Sequence, residues 1–221
     1  MPICASGEIS LGGSTVGRSV NIEIGAVGTA TITMNQTVVR TLAGVTTPGS
    51  QISMNCFYGK SLAPTVLGSV YQGGYYTGVV NIGGGVCYYM LLSPNATGCA
   101  GGCQWAVCCY TTGTVSTVNG YSNTWGPLNN PTHPAGNFTA TRSINGYSDW
   151  YLPAIDETVT MYNNKGSMPA GEGYGTGECH WSSTETYFNY VHGISFNSGV
   201  VSNLQNKRFG GIARALRRSP I

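Results

Sequence analysis

The sequence predicts a β-rich α+β protein with a small N-terminal unit and a larger C-terminal domain. Only 8% of the 221 residues are charged, against about 25% in an ordinary soluble domain. Glycine (33 residues) and tyrosine (14) are abundant, and this composition favours β structure with a neutral, hydroxyl-rich surface. Short segments alternate apolar and polar residues, which is typical of strands with one buried face. Helical patterns occur in only two short stretches.

The N-terminal unit covers residues 1–61. Alternation predicts three strands, at residues 20–24, 29–34 and 51–55. A short helix is expected in QTVVRTLAG, capped by Asn35 and ended by Gly44. Because so few elements bury little apolar surface, we expect the unit to gain stability by associating with copies of itself or by docking on a larger structure.

The second domain covers residues 62–221. Glycines at 73–74 and 83–85 predict tight hairpin turns. Residues 94–145 are rich in Pro, Asn, Gly, Ser and Thr, and we expect a long functional loop region there. A helix of about three turns should begin near Pro153. The segments VHGISF, GVVSNL and GIARAL predict three strands near the C-terminus.

The densest cluster of reactive groups is GYSDWYLPAIDE at residues 146–157. One hypothesis makes Asp149, Asp156 and Glu157 the source of a catalytic carboxylate pair, as in glycosidases. The alternative, which the sequence favours, is structural. In it, Asp149 accepts hydrogen bonds from loop amides, Trp150 is buried, and the two following acids complement the N-terminus of a helix.

Cysteines cluster in CAGGCQWAVCC, residues 99–109. Their spacing does not match a zinc site with two-residue knuckles, although a site recruiting Cys179 and His180 stays open. The cysteines could also form a local disulfide, of Cys99 with Cys103 or with one of Cys108 and Cys109, or stay as buried free thiols. We predict no metal, no cofactor and no phosphate-binding loop.

Two resemblances extend these predictions. NQTVVRTLAGV and GSQISMNCFYGKS, residues 49–61, resemble N-terminal segments of small structural proteins of tailed bacteriophages. In the second domain, the series GYSDWYLP, HWSSTE, SFNSGVVS and ARALR, preceded by YQGG and SPNATGCAGGCQW, resembles the collagen-like adhesin C-terminal (Lcl C-terminal) domain family over residues 68–218.

The second resemblance implies a C-type lectin-like α+β domain, found on bacterial adhesins and phage tail fibres. It also implies a set of residues that fix the fold rather than bind ligand: Asp149, Trp150, Leu152, Pro153, Trp181, Ser182, Ser183, Phe196 and Arg217. Because the calcium-binding triplets of true C-type lectins are missing, we expect no calcium-bound sugar.

The expected function is therefore that of a phage virion protein, a short tail fibre that binds a host surface glycan or protein without catalysis. Ligand contacts are expected from loop aromatics and amides, because rings stack on sugars and amides bond their oxygens. The candidates are Trp105, Tyr110, Tyr121, Asn123 and Trp125, with Tyr75, Tyr76 and Tyr187 as further exposed aromatics.

The resemblance further implies a homotrimer bound to tail or baseplate proteins through residues 1–61, and a location in the virion after assembly in the host cytoplasm. The alternatives are a capsid decoration or baseplate protein with a purely structural role, and a depolymerase. Nucleic-acid binding is not expected, because the five basic residues between Lys207 and Arg218 form only a small patch. The N-terminus has no secretory pattern, and no apolar run is long enough to insert in a membrane.

Overall fold

The structure is a computed structural model of the chain. It describes residues 3, 9–13, 15, 18–24, 26, 29–45, 47, 50–57, 63–109, 111–172 and 179–221. The chain divides into two compact units, residues 1–64 and 65–221. With about 30% strand and 24% helix, the protein belongs to the mixed α+β class and is strand-rich.

Unit 1, residues 1–64, has a helical core rather than the predicted strands. Its elements are helix α1 (Val20–Glu23), helix α2 (Thr37–Ala43) and a 3₁₀ turn (Met54–Phe57). The alternation at 20–24 belongs to a helix because the Ser19 hydroxyl caps it by accepting from the Ile22 amide. The described residues of 29–34 and 51–55 form no strand either.

The helix predicted at 36–44 is confirmed as α2. It ends at Gly44, whose φ of 71° is the left-handed conformation that favours glycine. Gln36, not Asn35, precedes the first helical residue, and no side chain caps it. Val20, Val39, Leu42 and Phe57 form the buried core of the unit.

Unit 2, residues 65–221, contains two sheets. The first has the strand order β1 (Val70–Tyr71), β2 (Gly74–Asn81), β3 (Cys87–Leu92) and β9 (Leu216–Pro220), all antiparallel. The second has the order β4 (Cys99–Gln104), β8 (Gly210–Arg214), β5 (Cys179–Tyr187), β6 (Tyr190–Ser195) and β7 (Val201–Asn206). In this second sheet β5 and β8 run parallel, and the neighbouring pairs are antiparallel.

The glycine turns and the C-terminal strands are confirmed. The turn between β1 and β2 contains Gly73, and Gly83–Gly85 connects β2 to β3, all with positive φ. The predicted strands VHGISF and GVVSNL correspond to β6 and β7. GIARAL is divided between the two sheets, because β8 ends at Arg214 and β9 begins at Leu216.

Residues 94–145, expected to be loop, contain regular structure. They form helix α3 (Asn95–Gly98), strand β4, helix α4 (Gly120–Asn123), which continues as a π-helical turn (Thr124–Leu128), and helix α5 (Pro134–Ala140). The strand was missed because CAGGCQ has no apolar alternation and becomes a strand only by pairing with β8.

Helix α6 (Ile155–Asn163) begins two residues after Pro153 and is followed by a 3₁₀ turn (Lys165–Ser167). It packs on one apolar core that includes Met90, Leu92, Leu216 and Phe196. A second core, around Trp105, Leu152 and Trp181, includes Ala213 of β8 and Val191 of β6. Among the described residues, no helix has the length and apolarity that a membrane crossing requires.

Candidate ligand-binding surface

Two of the three acids of GYSDWYLPAIDE, Asp149 and Glu157, make internal contacts. Asp149 accepts from Nε of Arg217 at 2.6 Å, so the expected bonds to loop amides are replaced by an ion pair. The reason is sheet register: Tyr151 bridges Leu216, which brings Arg217 of β9 beside Asp149. Arg217 also donates to the carbonyl of Gln72.

Glu157 is fully buried at the start of α6. Its Oε2 accepts from the amides of Ala154 (2.7 Å) and Gly120 (3.0 Å), and its Oε1 accepts from the Tyr151 hydroxyl at 2.8 Å. Burial raises the pKa of Glu157 to about 7, although these hydrogen bonds favour the charged form. Asp156 is exposed in the first turn of the same helix. The Glu157 carboxylate therefore fastens the helix start to its neighbouring loop.

The HWSSTE segment lies in β5 and binds that same loop. Ser183 donates its amide to the Pro153 carbonyl at 2.7 Å, and the Thr184 hydroxyl donates to the carbonyl of Ser116 at 2.9 Å. Asn123, a ligand candidate from sequence, is only 5% exposed. Its amide donates to the Ser116 carbonyl and the Ser183 hydroxyl, so it holds the loop in place and does not face a ligand.

The tryptophans near the cysteine cluster are core residues. Trp105, predicted to contact ligand, is 1% exposed and donates its indole N–H to the Ser182 carbonyl. Its burial follows from its place against the second core of unit 2. Trp181 donates to the Cys103 carbonyl at 2.6 Å, and Trp150 donates to the Tyr147 carbonyl at 3.0 Å. Leu152 and Pro153 are buried as well.

Two of the candidate aromatics do reach the surface. Tyr121 in α4 is partly exposed, and Trp125, on the π-helical turn, is 37% exposed. Their ring centroids are 6.0 Å apart with planes tilted by 33°. Tyr110 lies outside the described residues. Tyr75 and Tyr76 are partly exposed on β2.

Sequence reasoning missed the arginine that extends this pair. The guanidinium of Arg218 lies 4.6 Å from the Tyr121 ring centroid and 4.4 Å from that of Tyr88. Tyr88, Arg218, Tyr121 and Trp125 thus form a continuous series of neighbouring planar groups, called here the stacked row. The local sequence does not predict the stacked row, because its members are distant in the chain. The pairing of β3 with β9 and the position of α4 bring them together.

The stacked row is held rigidly from below. The Tyr121 ring packs edge-on against buried Tyr151 with centroids 5.8 Å apart. Asn119 fixes both flanks, because its Oδ1 accepts from the Ser122 amide and from Nη1 of Arg218. A preformed surface of this kind loses little conformational freedom when it binds a ligand.

A second exposed group lies at one end of the five-stranded sheet. Tyr187 and Phe188, at the end of β5, are 62% and 55% exposed, and Phe209, before β8, is 69% exposed. Lys207 ties the two turns together by donating its amide to the Asn189 carbonyl and its Nζ to the Phe188 carbonyl. Tyr187, Phe188 and Phe209 are called the aromatic turn cluster.

Three of the C-terminal basic residues are buried and paired. Lys207 pairs with Glu185, Arg214 with Glu172 at 3.4 Å, and Arg217 with Asp149. Glu185 also accepts from the backbone amides of Thr112 and Gly113. Because their charge is neutralised internally, these cations form no basic stripe.

The cysteines of 99–109 are free thiols in the structure, which agrees with the second of the two alternatives and not with a disulfide among Cys99, Cys103, Cys108 and Cys109. Cys99 and Cys103 are four residues apart in β4, a separation of roughly 10–13 Å in a strand, which exceeds the reach of a disulfide. Burial raises the pKa of both thiols.

A zinc site through Cys179 and His180 is also disfavoured. The two are adjacent in β5, so their side chains point to opposite faces of the sheet. In the part of the chain that the structure describes, no three His, Cys, Asp or Glu side chains are placed to hold a metal ion.

No protein-family model matches the chain, and no curated protein is significantly similar to it.

Proposed function

We propose that the protein is a bacteriophage virion component, a short tail fibre whose unit 2 binds a host cell-surface glycan or protein without catalysis. In this proposal unit 2 is a C-type lectin-like head related to the collagen-like adhesin C-terminal family. The observation that carries the binding role is the stacked row: partly exposed aromatic rings and an arginine, with Tyr121 packed on buried Tyr151 and Arg218 bonded to Asn119.

The chemistry of this surface suits a saccharide. A sugar ring stacks on an aromatic face, while neighbouring amides and guanidinium groups bond its oxygens. Of the three carboxylates that could have formed a catalytic pair, Asp149 is bound by Arg217 and Glu157 by the helix start, which leaves only Asp156 exposed. This arrangement favours binding over hydrolysis. No cofactor enters the proposal.

The proposal assigns unit 1 to attachment and to assembly of a homotrimer on tail or baseplate proteins. Several weakly binding heads on one particle would then act by avidity. The virion is the proposed location, after assembly in the host cytoplasm, without membrane insertion or nucleic-acid contact.

The test is binding of fluorescently labelled purified protein to a panel of bacterial strains. Trp125→Ala should weaken labelling at least about tenfold, as expected for loss of one aromatic contact. Phe188→Ala is the matched control, because it removes an exposed ring that does not belong to the stacked row and should leave labelling unchanged. Equal labelling by wild type and the Trp125 variant, or labelling of no strain, would overturn the receptor role.

The aromatic turn cluster favours the second candidate function, a decoration or baseplate protein that contacts only other virion proteins. Its three rings are each more than half exposed, and exposed apolar groups of this size commonly mark protein interfaces. If Phe188→Ala and Phe209→Ala abolish incorporation into particles while Trp125→Ala has no effect in any binding assay, this alternative replaces the first. New reducing ends in polysaccharide incubated with the protein would instead indicate a depolymerase.

A further inference from the structure

The stacked row contains a cation with unused hydrogen-bonding capacity. Arg218 is partly exposed, and its Nη1 donates to Asn119 at 2.9 Å. Among the described residues, no carboxylate lies within 4.0 Å of its guanidinium, and neither Nε nor Nη2 has a hydrogen-bond partner. Lys207, Arg214 and Arg217, by contrast, are each paired with an acid.

The position of Arg218 explains why its charge stays unpaired. Arg218 pairs with Met90 of the neighbouring strand, and Met90 belongs to the apolar core. The same core contains Leu92 and Leu216, which lie further along these two strands. The same sheet face reaches the surface at Tyr88 and Arg218. The guanidinium is therefore held by two rings, which fix its plane but do not neutralise it. The remaining N–H groups are left for a planar or tetrahedral anion, which a guanidinium binds with two parallel hydrogen bonds.

We infer that the stacked row is a site for an acidic saccharide, with the anionic group on Arg218 and the sugar ring against Trp125. The inference rests on the proposed function and names the class of its ligand. Tyr121 links the two contacts, because its ring centroid lies 4.6 Å from the Arg218 guanidinium and 6.0 Å from the centroid of Trp125. An oligosaccharide lying along the row can therefore contact both groups. A carboxylate and a phosphate would both satisfy the guanidinium.

The test uses purified full-length protein and defined oligosaccharides, with binding measured by calorimetry. Polygalacturonate oligomers supply carboxylates, and their carboxyl-reduced forms are the neutral counterpart. Phosphorylated mannan oligomers and their dephosphorylated forms distinguish phosphate in the same way. We expect wild-type protein to bind at least one of the acidic oligomers. Its affinity for the neutral counterpart should be at least about tenfold lower, and added salt should weaken binding of the acidic form.

The decisive variants are Arg218→Gln and Arg208→Gln. Each removes one positive charge, but Arg208 is exposed in a turn and is not a member of the row. Arg218→Gln should weaken acidic-sugar binding about tenfold or more, whereas Arg208→Gln should leave it within about twofold. Arg218→Lys keeps the charge and should restore binding only in part, since a lysine lacks the planar fork. Circular dichroism and thermal melting verify that each variant is folded.

The inference is overturned if acidic and neutral forms bind equally, if none of the acidic probes binds, or if Arg208→Gln weakens binding as much as Arg218→Gln. The strain-labelling assay separates this failure from failure of the receptor role. If labelling depends on Trp125 but not on Arg218, the receptor function stands and the acidic ligand does not.

Discussion

Replacing Glu157 by glutamine should change how the stability of unit 2 depends on pH. The carboxyl is fully buried, and its pKa in the folded protein is about 7 against an ordinary value of 4.5. Ionised Glu157 is thus disfavoured by folding, so its protonated form contributes stability that is fully present below pH 4.5 and is lost as pH rises through 7. At about 1.4 kcal/mol per pH unit, the wild-type protein loses about 3 kcal/mol over this interval.

Glutamine keeps the shape and an oxygen acceptor for the amides of Ala154 and Gly120, but it cannot ionise. The difference in unfolding free energy between Glu157→Gln and wild type should therefore shift by about 3 kcal/mol in favour of the variant between pH 4.5 and pH 7.5. Urea unfolding followed by tryptophan fluorescence at four pH values measures it. Burial lowers the pKa values of His133 and His192, so their contribution to stability rises with pH and opposes that of Glu157. Both histidines are present in the variant and in wild type, so their contributions cancel in the difference between the two unfolding free energies.

Asp156→Asn is the matched control for this experiment. Asp156 is the next residue in the helix but is exposed, so its variant should differ from wild type by less than about 0.5 kcal/mol at every pH. If the Glu157→Gln difference stays constant from pH 4.5 to 7.5, the carboxyl is not buried as described, and the account of how the loop is fastened to α6 is wrong.

Three further predictions concern other buried groups of unit 2. Lys207→Met should destabilise the protein by about 3–5 kcal/mol in urea unfolding, because it leaves a buried carboxylate without its cation. Gly120→Ala should lower stability by about 1–3 kcal/mol, since its Cβ would lie 2.5–2.6 Å from neighbouring atoms, whereas Gly126→Ala meets nothing within 4 Å and should be tolerated. Peptide mapping after iodoacetamide treatment at pH 8 should find exposed Cys108 alkylated before Cys179, whose pKa burial raises to about 11.

Two of these predictions have simple internal checks. A double variant that replaces Lys207 and Glu185 by methionine should recover part of the lost stability, because no buried charge is then left alone. If the single and double variants are equally unstable, the pair matters through its bonds to Thr112 and Gly113 rather than through its charge. Faster alkylation of Cys179 than of Cys108 would contradict the burial of the β5 thiol.

Local signals predicted the elements that depend on local physics. Helix α2 ends at Gly44 because a glycine accepts the left-handed conformation there, and the acids at the start of α6 mark its first turn. The strands β6 and β7 follow from alternation. In α1 the same alternation was misleading, because over four residues a strand pattern and a capped helical turn are compatible with the same sequence.

The candidate site was less predictable, because long-range register builds it. Tyr121 and Trp125 could be chosen as loop residues that contact a ligand, yet Trp105 and Asn123, chosen on the same grounds, are buried. The buried residues differ from the exposed ones in their contacts with β5. These contacts join residues about 60 to 80 positions apart in the sequence. Arg218 is one of five basic residues near the C-terminus. It could not be identified as the binding residue from sequence, because the sequence does not show which of the five form ion pairs.

The pairing of these basic residues also explains how a protein with so few charges can bind an anion selectively. Buried ion pairs contribute little net stability against apolar replacements, but they fix the geometry of the segments that they join. Lys207, Arg214 and Arg217 pair with three acids in this way and tie the last strands to the loops. Arg218 is left as a fixed positive charge on a nearly neutral surface. An acidic sugar is then directed to this arginine rather than to a diffuse basic field, so binding should depend on one side chain and not on net charge.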